Sequence, residues 1–164
     1  LIGLVGSEMC IRDSSRGYDN ERKNFKSFNN FYLSPIICYE SVYGEYVTEY
    51  TRSGSKLFAI ITNDGWWDVS EGHKQHLSYA KLRAIENRRN IVRSANTGVS
   101  AIINYRGEIE DSIEYGEEGF INTNVGLIEE KTFYVNYGDY IFRISLFFFI
   151  IIGLHFLATI VKIK

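Results

Sequence analysis

The chain is 164 residues long, 45% hydrophobic, 15% aromatic and 23% charged, which is enough apolar material for one folded core and too much for a disordered segment. Its 18 basic and 20 acidic side chains leave a formal net charge of -2, so no excess of positive charge exists to neutralise phosphates, and nucleic-acid binding is disfavoured. Two cysteines, Cys10 and Cys38, make neither a disulfide framework nor a zinc site; 12 Tyr, 11 Phe and 2 Trp with a single Pro suit strands, and equally an apolar interface or lipid-facing surface.

In chain order, Leu1 opens a segment without the charged, apolar and small-residue succession of a signal peptide, and the chain is expected to start within a longer gene. The run Ser7-Glu8-Met9-Cys10-Ile11-Arg12-Asp13-Ser14 looks like a translated sequencing adapter, so residues 1–16, Cys10 among them, are expected to be foreign to the fold. Residues 17–30 are polar around Phe25 and Phe28 and read as a loop entering an edge strand. From 31 to 38 the pattern is apolar and bounded by Glu40 and Ser41, predicting a buried strand that ends at Cys38.

Residues 42–53 predict a short helix closed by Gly54, and 57–62 is a second apolar run too short for a helix. Strand, helix, strand implies a parallel βαβ unit. Asn63-Asp64-Gly65 predicts a turn, because Asn and Gly tolerate positive φ. A longer helix is predicted over 73–89, with Leu77, Ala80 and Ala84 on one face and His76, Arg83, Asn87 and Asn90 on its neighbour. Segments 91–95 and 99–105 read as strands around Asn96-Thr97-Gly98, with a turn at Arg106-Gly107-Glu108, so the second half is expected to be β-rich.

Residues 144–161 are almost wholly apolar, and a helix of that length spans roughly 27 Å, close to the ~30 Å hydrocarbon core of a bilayer. A buried core helix would show a polar stripe, whereas only Ser145, His155 and Thr159 interrupt the run, which favours a transmembrane helix. Lys131 and Arg143 before it and Lys162 and Lys164 after it balance, so charge does not set its direction.

Cys38 stands where the first strand hands over to a helix, a junction that aims free backbone N–H groups at the turn and stabilises negative charge, whether on a thiolate or on the oxyanion of a tetrahedral intermediate. A lone cysteine at a strand end is also commonly a small buried apolar side chain, and the junction alone leaves both readings open. Glu40 is a carboxylate whose burial needs a reason or, alternatively, a helix N-terminal charge. Trp66 and Trp67 suit an apolar interface wall as well as a core pair. His73 and His76 are one helical turn apart, a spacing two metal ligands can use, but no Cys or carboxylate cluster completes a site, and no metal is expected.

Ile36-Ile37-Cys38-Tyr39-Glu40-Ser41 is similar to the nucleophile segment of apolipoprotein N-acyltransferases, within the nitrilase or carbon–nitrogen hydrolase superfamily. Matches continue in family order with Thr62-Asn63-Asp64-Gly65-Trp66-Trp67, His76-Leu77, Leu82-Arg83-Ala84-Ile85-Glu86, and the run from Arg93-Ser94-Ala95-Asn96 to Thr97-Gly98-Val99-Ser100-Ala101. Tyr137-Gly138-Asp139 follows ahead of the apolar helix. The resemblance covers roughly residues 31–161. It departs at Asp68, where the family motif usually continues with Gly.

The resemblance implies the C-terminal half of a four-layer αββα sandwich over residues 17–139, followed by one transmembrane helix and a short cytoplasmic tail over 140–164. It implies a bacterial inner-membrane enzyme with a periplasmic catalytic domain. Cys38 would take an acyl chain from a phospholipid as a thioester and pass it to the N-terminal amine of a diacylglyceryl-cysteine on an apolipoprotein, with no cofactor. Cys38, Tyr39 and Glu40 are the catalytic candidates by that resemblance; Asn63, Trp66, Trp67, Arg83 and Asn96 are the substrate-binding ones. The family resembles a Glu-Lys-Cys triad whose Glu base and Lys precede the Cys, in a region that here would fall before residue 17, so the polypeptide alone is expected to be inactive. The alternatives are a soluble-type carbon–nitrogen hydrolase, against which the apolar helix stands, and a membrane-tethered module that binds without catalysis.

Overall fold

The computed structural model describes residues 22–68 and 70–163. Residues 1–16 and Cys10 lie outside the described residues. One mixed six-stranded sheet runs in chain order: β1 Phe25–Lys26, β2 Tyr32–Ile37, β3 Ser55–Thr62, β4 Asn90–Ala95, β5 Ser100–Ile103 and β6 Ile109–Ile113. β2, β3 and β4 are parallel neighbours, with Ile36 opposite Ile60 and Ile60 opposite Arg93, while β1, β5 and β6 pair antiparallel.

Helix α1, Gly44–Arg52, connects β2 to β3, and α2, Gly72–Asn87, connects β3 to β4. Right-handed crossovers between strands that are adjacent in sequence order place both helices on one face of the sheet. That face holds the core: Ile36, Phe58, Ile60 and Ile91 from the strands pack against Val47, Tyr50, Ala80 and Ala84 from the helices. Alternate residues point to the other face, where Leu33, Pro35, Ile37, Leu57, Ala59 and Ile61 remain half-buried. The described residues thus supply one sheet and one helical layer of an α/β fold, with an apolar sheet face left partly exposed.

Several local expectations are revised. The helix expected over 42–53 is α1, Gly44–Arg52, and a 3-10 turn at Cys38–Val42, which was not expected, precedes it. The turn after β3 is a second 3-10 segment, Asp64–Trp67, in which Asn63 has φ -116 and its side-chain oxygen accepts from the Gly65 N–H; positive φ falls instead on Asp68, at φ 49 and ψ -146. Arg83 and Asn87, whose default is a solvated helix face, are buried at 3% and 0% exposure because that side of α2 faces α1 and the Cys38 turn. The second half is β-rich only to Ile113. Residues 114–132 form no helix or strand, and the chain closes with α3, Phe133–Tyr137, and α4, Tyr140–Ile163.

Arg89 holds the irregular segment in place. Fully buried, its guanidinium donates to the carbonyls of Ser55, Glu129 and Glu130, and burial lowers its pKa from the usual arginine value. Asn90 Nδ2 adds a bond of 2.8 Å to the Gly126 carbonyl. The Thr132 hydroxyl caps α3 by accepting from Val135 N–H. Between α3 and α4, Gly138 takes φ 66, and Glu45 of α1 accepts from the Asp139 N–H and pairs with Arg143. Beyond the Arg143–Glu45 pair and the edge contact of the Tyr140 ring with Phe133 near its start, the apolar side chains of α4 are exposed among the described residues, and Tyr140–Ile160 is long and apolar enough to cross a membrane.

Candidate active site

Cys38 is the first residue beyond β2 and carries φ 49, a left-handed conformation that a non-glycine side chain tolerates only at a cost of about 1–3 kcal/mol. Strain of this kind survives where surrounding bonds over-determine it. Here they converge on the Cys38 carbonyl, which accepts from Ser41 Oγ at 2.9 Å and faces His76 Nε2 at 3.2 Å. The Thr62 hydroxyl, at the end of the neighbouring strand, reaches Cys38 Sγ at 3.4 Å. The thiol is free and half-buried, so it is accessible while its backbone is clamped.

Behind the cysteine lies a buried polar cluster. Asp64 Oδ1 stands 2.9 Å from His76 Nδ1 and accepts from Thr62 Oγ1 at 2.9 Å; Asp64 Oδ2 accepts from the Arg93 guanidinium at 2.5 Å. Arg93 also donates to the Val99 carbonyl. Burial alone would raise the Asp64 carboxyl, but the bond from His76, the Arg93 charge and the Thr62 hydroxyl outweigh it and bring the pKa down to about 2. Close approach makes the Gly98 position specific: a Cβ there would stand 2.4 Å from Asp64 Oδ2.

Of the residues expected to act chemically, Cys38 is at the centre and Tyr39 is beside it, half-exposed, with its ring 6.2 Å from that of His76 and 6.1 Å from that of Tyr43. Glu40 turns back: its carboxylate accepts from Ile37 N–H at 2.8 Å and from the Tyr46 hydroxyl at 2.9 Å, so it closes the 3-10 turn that carries Cys38. Trp67 packs its ring 5.2 Å from His76, whereas Trp66 is 68% exposed. Asn96, on the turn after β4, donates to the Asn63 side-chain oxygen, on the turn after β3, at 3.4 Å. Arg83 pairs with Glu86 and donates to the Val42 carbonyl, which places it at the far end of the Cys38 turn, away from the thiol.

His73 does not join His76: its ring stacks on Tyr115 at 4.6 Å, while both nitrogens of His76 are engaged. Among the described residues no group of three or more His, Cys, Asp or Glu converges as a metal site. Ser41, Thr62, Asp64, His76 and Arg93 belong to the motifs that carry the resemblance but are not among its catalytic or substrate-binding candidates. The signal for Arg93 was an arginine between Val92 and Ser94 in an apolar strand, where a charge has to find a partner.

Residues 22–129 match the model of the carbon–nitrogen hydrolase family. Among curated relatives, the apolipoprotein N-acyltransferase of Geobacter metallireducens is 41% identical over 104 residues, 63% of this chain and 20% of that one. Apolipoprotein N-acyltransferase 2 of Leptospira interrogans is 30% identical over 167 residues, 99% of this chain and 27% of that one. The chain therefore spans roughly a fifth to a quarter of the length of the curated relatives it matches. Among solved structures, a carbon–nitrogen hydrolase from Helicobacter pylori shares the fold with a TM-score of 0.54 at 14% identity, covering 62% of this chain and 42% of that one. A nitrilase-superfamily amidase from Nesterenkonia does so with a TM-score of 0.52 at 17% identity, covering 62% and 40%. On the family match across two thirds of its length, this chain belongs to the carbon–nitrogen hydrolase family.

Proposed function

We propose that this chain carries the nucleophile of a membrane-bound N-acyltransferase that matures lipoproteins, and that Cys38 is that nucleophile. The observation that carries the reading is the free thiol on a left-handed residue at the end of β2, with its backbone clamped and its sulfur within reach of a hydroxyl. Similarity to apolipoprotein N-acyltransferases supplies the substrate class. The exposed apolar surface of α4 supports lipid substrates over the small soluble amides of a hydrolase.

In this reading the Cys38 sulfur attacks an ester carbonyl of a phospholipid. The S–C bond forms, the C–O bond breaks, and the lysophospholipid leaves with the proton the thiol gave up. The α-amine of a diacylglyceryl-cysteine then attacks the thioester carbon: the N–C bond forms, the S–C bond breaks, and the amine proton returns to the sulfur through the base. A thiolate serves both steps because it is a strong nucleophile and a competent leaving group. The N–H of Tyr39, on the first turn after the nucleophile, would donate to the developing oxyanion, and Tyr39, Trp66 and Trp67 would supply aromatic walls for acyl chains.

The family resemblance also calls for a general base and an oxyanion lysine, both of which precede the nucleophile in sequence. Tyr39 and Glu40 complete the catalytic segment, with Glu40 holding the turn; Asn63 and Asn96 frame the site, and Arg83 supports the Cys38 turn from its far end. The membrane is the bacterial inner membrane, with the sheet on the periplasmic side. Steady-state transfer from phospholipid to a diacylglyceryl lipopeptide by the full-length protein tests the reading. Parallel double-reciprocal lines are expected, abolished in Cys38→Ala; intersecting lines, or activity retained in Cys38→Ala, would contradict a thioester route.

A further inference from the structure

We propose that Asp64 is a positioning residue for Cys38, reaching it from two sides without touching it: through His76 to the carbonyl and through Thr62 to the sulfur. The inference rests on Cys38 being the nucleophile. A carboxylate at 0% exposure has to be paired, and Arg93 at 2.5 Å pairs it, yet Arg93 occupies only Oδ2. The other oxygen, Oδ1, is committed to His76 and Thr62, each at 2.9 Å. Both of these side chains make their next contact with Cys38. A merely structural ion pair needs neither arm.

The His76 arm sets the backbone. With Nδ1 turned to Asp64, the imidazole presents Nε2 to the Cys38 carbonyl at 3.2 Å and to Ser41 Oγ at 3.0 Å. That carbonyl shares a planar trans peptide unit with the Tyr39 N–H, so holding the oxygen where it accepts from Ser41 Oγ at 2.9 Å, beside His76 Nε2, aims the N–H the opposite way. Fixing this one plane therefore fixes both the strained rotation at Cys38 and the direction of the Tyr39 donor that would meet an oxyanion.

The Thr62 arm sets the sulfur. Its hydroxyl lies 2.9 Å from Asp64 Oδ1 and 3.4 Å from Cys38 Sγ, so Asp64 holds the hydroxyl at the thiol, where its proton can turn to the sulfur as negative charge develops. Thr62 is 2% exposed and lies on β3, a strand paired in register with β2, so neither hydroxyl nor thiol can drift without disturbing the sheet.

The test is acyl transfer by the full-length protein, with kcat and KM measured per folded molecule for Thr62→Val, Thr62→Ser, Asp64→Asn and Cys38→Ala. Thr62→Val is expected to lower kcat ~10-fold at unchanged KM and Thr62→Ser to stay within about twofold of wild type, since serine restores the hydroxyl. Asp64→Asn is expected to lower kcat ~100-fold at unchanged KM, the scale of a misplaced reacting group. Wild-type kcat in folded Thr62→Val or Asp64→Asn, or a serine variant as slow as the valine one, overturns the positioning role. Should Asp64→Asn fail to fold, the valine and serine pair decides. Transfer that survives Cys38→Ala removes the nucleophile reading itself, an outcome the other three variants cannot produce.

Discussion

Two arginine–carboxylate pairs of similar geometry lie in very different surroundings. Arg93 and Asp64 are both fully buried, Asp64 Oδ1 taken up by His76 and Thr62 and Arg93 donating also to the Val99 carbonyl while its Nε has no partner; Arg143 and Glu45, at the junction of α4 with the sheet domain, are about half exposed. Water screens the second pair and leaves the first in a low-dielectric interior, where losing one partner strands a charge. The comparison separates a pair that the fold cannot lose from one that orients a helix.

The largest effect is expected from breaking the buried pair. Arg93→Met leaves buried Asp64 without its arginine counter-ion and is expected to cost about 3–5 kcal/mol, seen as a lowered thermal midpoint of the detergent-solubilised full-length protein. Acid sharpens the same contrast. The Asp64 carboxyl is depressed from 3.8 to about 2, so its contribution is fully present above pH 3.8 and is lost as pH falls through about 2. That contribution is about 2 kcal/mol, and Asp64→Asn should flatten the acid limb of the stability profile over that window.

A smaller change is expected at Asp68, which is exposed and held at φ 49, ψ -146, where glycine is unstrained. Asp68→Gly is expected to raise stability by about 1 kcal/mol, since relief of strain exceeds the added freedom of the unfolded chain. The exposed pair should matter least: Glu45→Gln is expected to change the thermal midpoint by an amount corresponding to less than about 1 kcal/mol.

The same contrast explains what was legible in the sequence. β2, β3 and α2 follow from short-range apolar patterns, and their observed bounds fall within about two residues of those patterns because local periodicity decides them. Cys38 was legible as a strand-to-helix junction, although its left-handed backbone was not, because nothing local marks it. β6 is absent from the sequence reading: Ile109, Glu110 and Asp111 are exposed, and a strand that pairs only along one edge needs no apolar alternation. The cluster behind Cys38 was hidden for a different reason. Asp64 and Arg93 are 29 residues apart, and only the register of β3 beside β4 brings them together. Asp64 read as a turn residue, His76 as half of a metal spacing and Thr62 as the end of a strand, each assigned by its neighbours in sequence when its partners come from elsewhere.

The most direct measurement is the intact mass of the full-length protein after incubation with phospholipid and no acceptor. The account predicts a single added acyl chain located on Cys38, removed by hydroxylamine and by an amine acceptor, and absent in Cys38→Ala. An unchanged mass in a folded protein that nonetheless transfers acyl chains, or an adduct on any other residue, would contradict it.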